Sequence, residues 1–193
     1  MPDTLLAAVL DRIDVANAAD PNLERDDGRE QPAALLYGQR MSAELASLVA
    51  APSEALQIAV RGQHVERWMR PRADYPAGRA GYLAWRRDAG RYHADRVAEM
   101  MRVEGYDAAA CERVARLIRK EGIKSDFEAQ ALEDTACLAF MRWYVGSFAA
   151  KHASEDVLAI VAKSARKMSA EGRRLALTLP LSEPVKAVLA AAG

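Results

Sequence analysis

Apolar residues recur in this chain at three- and four-residue intervals along nearly its whole length, and no stretch alternates apolar with polar residues for long enough to form a half-buried strand. A 3.6-residue period gives each helix one apolar stripe, and such stripes are buried by packing helix on helix. The pattern predicts an all-α fold, a helical bundle of about seven to eight helices. At 193 residues and 51% apolar the chain can fill one core, so a single domain over 1–193 is expected.

The punctuation between stripes sets the helix ends. Leu5, Leu6, Val9, Leu10 and Ile13 predict a helix over 4–18, with Asp3 or Thr4 as its cap. After Asp20-Pro21 the polar run 22–31 reads as the longest exposed loop. Pro32 suits the first turn of a helix reaching Val49, and Ser53 recaps the chain for a helix to about Trp68, with Leu56, Ala59, Val60 and His64 on one face. Pro71 and Pro76 make 69–77 a connector, and Gly105 closes a long helix over 79–104. Asp107 caps a helix that ends near Glu121-Gly122. Ser125 or Asp126 opens the next, whose centre, 136–141, is apolar all round and therefore buried. Further helices are predicted over 154–172 and from near Ser182.

Lysine plus arginine equal aspartate plus glutamate at 27 each, which excludes a global field for nucleic acid. Locally, ten acidic residues against four basic over 1–60 are offset by nine basic against four acidic over 61–96, and that confined basic patch is the one sign of a small anionic partner. Cys111 and Cys137 belong to no ligand or redox motif and read as reduced core residues. No segment approaches the roughly 20 apolar residues that span a bilayer, and Met1–Leu6 lack a basic leader. A cytoplasmic protein without membrane contact is the expectation.

Chemistry concentrates on few residues. His64 and His93, two of only three histidines, occupy inward-facing helical positions, and Asp134 lies on an apolar helix face between Ala131 and Leu138. A carboxylate there needs compensation, because an unpaired buried charge costs several kcal/mol. Two imidazoles and one carboxylate from three helices form a ligand set for one divalent metal: iron, manganese or zinc. Equally, each histidine can be a hydrogen-bonded core residue and Asp134 can pair with an arginine. Arg61, Arg67 and Arg86 have the planar donors that suit phosphate oxygens. Trp68 and Trp85 either stack a base or fill a core, and His152 reads as surface. Walker, Rossmann and nucleophile-elbow motifs are absent.

The segments Ala34–Met41, Gln63–Trp68, Arg79–Arg86 and Leu132–Leu138 resemble the landmarks of a family known as domain of unknown function 4202, over nearly the full chain. More distantly the chain resembles the HD-domain metal-dependent phosphohydrolases, which are all-helical. In that resemblance His64 falls at their His-Asp doublet, His93 at a later metal-site histidine, and Glu128–Leu138 at a helix closing with the ligand Asp134. It implies His64, His93 and Asp134 as catalytic and metal-binding residues. Tyr37 stands where the first histidine belongs, Val65 replaces the doublet's aspartate, and Lys120 takes another histidine position. Those departures imply one metal rather than two, with Tyr37 and Lys120 joining Arg61, Arg67 and Arg86 around substrate. The resulting expectation is a mononuclear metal-dependent phosphohydrolase acting on a small phosphorylated or nucleotide-like substrate; the alternative is a non-catalytic ligand-binding or regulatory module on an HD-like scaffold.

Overall fold

A computed structural model describes residues 4–123 and 125–192. The Thr4 hydroxyl accepts from the Ala7 N–H at 3.1 Å and starts α1 (Leu5–Asn17); the other expected cap, Asp3, lies outside the described residues. The segment expected to be a loop is instead a β-hairpin, in which β1 (Leu23–Asp26) pairs antiparallel with β2 (Arg29–Pro32). Asp27 and Gly28 form its two-residue turn with φ of +46° and +79°, the left-handed pair that matches strand twist. Both strands are polar, so no alternation betrayed them. Arg40 anchors β1, its guanidinium reaching Glu24 and, at 2.8 Å, Asp26.

The remaining helices are α2 (Ala33–Leu48), α3 (Glu54–Gly62), α4 (Gly78–Val103), α5 (Ala108–Ile118), α6 (Phe127–Ala139), α7 (Val145–Ala149), α8 (Ser154–Ala165), α9 (Ala170–Leu177) and α10 (Glu183–Ala190). The all-α class holds, with ten α-helices among the described residues rather than seven or eight. Two boundaries account for the difference: a π-helical turn over Phe140–Tyr144 separates α6 from α7, and the predicted helix 154–172 is two helices broken at Ser169. In addition, α3 stops six residues short of Trp68. Short 3-10 turns, Arg67–Met69 and Arg72–Asp74, fill the connector. Among the described residues no helix is long and apolar enough to cross a membrane.

The chain's contacts gather into two compact units. The first comprises the chain through Ser42 together with Ala51–Glu121; the second comprises Ala43–Ala50 and the chain from Gly122 on. In the first, Val9, Ile13, Leu56, Ile58, Val60, Val97, Val114 and Leu117 are buried where α1, α3, α4 and α5 pack. In the second, Leu138, Met141, Val161, Ala165, Ala176 and Leu189 make a core from α6, α8, α9 and α10. Cys111 and Cys137 are both buried thiols, as expected.

Candidate functional site

The end of α3 is set by a close approach. A Cβ on Gly62 would stand 2.5 Å from Val97 Cγ2, so only glycine lets the end of α3 lie against α4. Beyond it the chain leaves the helix, and every residue of the turn except His64 is tied down. Gln63 Nε2 donates to Tyr37 Oη at 2.9 Å, the Val65 carbonyl meets His93 Nδ1 at 2.8 Å, and the Glu66 N–H donates to the buried Asn17 Oδ1 at 2.9 Å. Glu66 is held in the left-handed region, φ +50°, and its carboxylate takes Tyr92 Oη and Arg96 Nε, each at 2.8 Å. His64 therefore sits in a constrained turn and not on a helix face, which corrects the expectation from spacing.

His64 is half-buried. Its ring stacks on Tyr37 with centroids 4.6 Å apart and lies 5.8 Å from the ring of His93. Neither of its nitrogens has a hydrogen-bond partner among the described residues. Burial first, then the positive charges of Arg67, His93, Lys120 and Arg86, push its pKa well below the ordinary histidine value. His93, 2% exposed, is pushed down to about 4 by burial and next by Arg67, against the opposing pull of the Val65 carbonyl. Both imidazoles are neutral at neutral pH. With Nδ1–H given to the carbonyl, His93 Nε2 carries a lone pair, and it is buried without a partner among the described residues.

Two of the cations around the imidazoles, Arg67 and Arg86, are not matched by acids among the described residues. Among the described residues neither Arg67 nor Arg86 forms an ion pair with a carboxylate; Arg67 lies over the Trp85 ring at 4.7 Å and Arg86 over Tyr82 at 5.9 Å. Burial is the largest influence on Arg67 and lowers its pKa. Lys120, following α5, adopts φ +58°. A lysine in that conformation costs about 1 kcal/mol that glycine would not. Of the three non-glycine residues with positive φ among the described residues, one is in the hairpin turn and the other two, Glu66 and Lys120, belong to this cluster or adjoin it.

The structure thus gathers Tyr37, His64, Arg67, Arg86, His93 and Lys120 in the first unit. Two expected members are engaged elsewhere. Arg61 clasps Asp14 through Nε and Nη2 at 2.7 and 2.6 Å and reaches Ser42 Oγ at 3.0 Å, so its donors serve the framework. Asp134 belongs to the second unit, and the cation expected beside it is replaced by neutral donors: Ser169 Oγ at 2.6 Å, the Ser169 N–H at 2.8 Å and Gln130 Nε2 at 3.0 Å. Ser169 also caps α9 by accepting from the Gly172 N–H, and a Cβ on Gly172 would come 2.7 Å from Asp134 Cγ. Burial raises the Asp134 pKa while these hydrogen bonds work against the rise. Among the described residues no group of three or more His, Cys, Asp or Glu side chains could hold a metal ion.

Several participants carried no sequence signal of their own. Gln63 and Asn17 are ordinary polar residues whose partners lie 26 and 49 positions away. Tyr82, Trp85 and Tyr92 do share one face of α4, and that spacing was readable; that arginines would stack on them was not. In the second unit the π-helical turn lets Arg142 Nε and Trp143 Nε1 both reach the buried Glu44 Oε1, at 2.5 and 3.0 Å, which no periodicity foretold.

No curated protein and no solved structure matches this chain. The sequence model described as Domain of unknown function (DUF4202) matches residues 7–189, which takes in the His64 cluster and both units, and the chain belongs to that family.

Proposed function

We propose that the first unit binds the phosphate group of a small molecule at His64, with Arg67, Arg86 and Lys120 supplying the positive charge and Tyr37 the wall on which the imidazole rests. The observation that carries this reading is the charge imbalance. A guanidinium drawn into a fold is ordinarily matched by a carboxylate, and Arg67 and Arg86 have none among the described residues, while their charge adds to burial in holding the His64 pKa down. An anion relieves that field. The strained backbone at Lys120 fits a residue kept for its charge. This is the non-catalytic form of the expectation, a binding module, and it needs no metal.

Titration of the full chain with orthophosphate and pyrophosphate at low salt, read by tryptophan fluorescence because Trp85 lies under Arg67, tests it. Saturable binding is expected, weakened about tenfold by Arg67→Gln, the loss of one charge-assisted contact. Absence of saturable binding by either anion overturns the reading.

One observation favours a second reading. His93 gives Nδ1–H to a backbone carbonyl and leaves Nε2 bare, the orientation imidazoles adopt when they ligate a metal. A single divalent ion on His93 and His64, on an HD-like scaffold, would polarise a phosphate for hydrolysis. The same arginines that favour an anion oppose a cation, so this reading ranks second. Near-stoichiometric metal in protein purified without chelator, lost in His93→Gln, would move it to first place.

A further inference from the structure

We propose that the ligand of the His64 site carries a flat aromatic ring besides its phosphate, a mononucleotide being the chemical class that fits. This rests on the phosphate-binding reading and adds to it what lies beside the anion. Tyr82, Trp85 and Tyr92 are spaced three and seven residues apart on α4, which places them along one side of the helix. Each carries a guanidinium on its ring: Arg86 over Tyr82 at 5.9 Å, Arg67 over Trp85 at 4.7 Å and Arg70 over Tyr92 at 4.6 Å. The rings of Tyr82 and Trp85 are themselves 5.9 Å apart. Among the described residues none of the three arginines pairs with a carboxylate, so stacking is what holds their planes.

A stacked guanidinium has two faces. The ring takes one, and the other can take a second planar group, because the cation attracts π-electrons from both sides. Tyr82 is 39% exposed, and Arg70 and Arg86 are exposed as well, so the layer opens to solvent. Two of these arginines, Arg67 and Arg86, are also the cations of the phosphate site. A ligand whose phosphate meets those charges has its next group over the layer. A sugar ring gains nothing from a π-stack there, whereas a nucleobase continues it.

The test measures dissociation constants of the full chain for orthophosphate, ribose 5-phosphate and the four nucleoside 5′-monophosphates. At least one mononucleotide is expected to bind tenfold or more tightly than ribose 5-phosphate. Tyr82→Ala should erase that advantage, read as the ratio of mononucleotide to ribose 5-phosphate affinity so that any shift of Arg86 cancels, and Tyr82→Phe, which keeps the ring, should restore it. Equal affinity for ribose 5-phosphate and every mononucleotide, with orthophosphate still bound, overturns the aromatic ring and leaves the phosphate site standing. If orthophosphate does not bind either, both fall.

Discussion

Each of the two units buries a polar centre, and the two are finished differently. Around Asp134 the account closes locally: three neutral donors meet one carboxylate, and Ser169, which supplies two of them, spends its remaining oxygen capacity on capping α9. Around His64 it does not close. His93 Nε2 is buried without a partner among the described residues, and Arg67 and Arg86 lack acids. Buried polar groups in folded proteins are almost always satisfied, which is why the open centre is the one proposed to bind a ligand and the closed one is assigned to stability.

The sharpest way to break that contrast is to open the closed centre. Ser169→Ala removes a helix cap and a hydrogen bond to a buried carboxyl together, and should cost about 3 kcal/mol in urea unfolding. Orthophosphate affinity should remain unchanged. A large loss of phosphate binding in the still-folded variant would show that the two centres do not have separate duties.

Acid separates them by sign. The unfolded chain takes a proton on His93 near pH 6.5 and the folded chain only near 4, so between those values the unfolded state binds more protons and stability declines as pH falls. The full loss is up to about 3 kcal/mol. Asp134 works the other way: its folded pKa is raised, so its contribution is present in acid and is lost as pH rises through its folded pKa. Unfolding midpoints from pH 7 to 4 should therefore flatten in His93→Gln and steepen in Asp134→Asn. The same slope in all three proteins would remove the protonation argument.

The smallest effect has opposite consequences for stability and binding. Lys120→Gly relieves a left-handed lysine and should stabilise the fold by about 1 kcal/mol. It removes one positive charge from the His64 cluster, so orthophosphate should bind roughly threefold more weakly. A variant neither more stable nor weaker in binding would mean that this lysine is held for neither reason.

Where a helix begins was legible because the signal is local. Thr4, Ser53, Asp107 and Asp126 each accept from an N–H within three residues, so cap and helix are adjacent in sequence. Ser169 makes the same bond and was missed, because apolar spacing carried the helical pattern across it and its defining partner, Asp134, is 35 residues away. Spacing placed His64 on a helix face, but α3 stops at Gly62 and His64 falls in the turn beyond it. For the site, the residue types were readable from composition: a basic stretch, two histidines, one buried acid. Their grouping was not, and Arg61 and Arg67 look alike in sequence although one is spent on Asp14 and the other is not.

By itself the sequence determined an all-helical chain, its family, most helix starts and the inventory of chemically capable side chains, because periodicity, caps and residue chemistry act over a few neighbouring positions. Only the tertiary structure decided which imidazole stays neutral, which arginine keeps its charge unspent and which acid is satisfied by a serine. Those outcomes depend on burial and on partners dozens of residues away, and neither distance nor dielectric is written in local sequence.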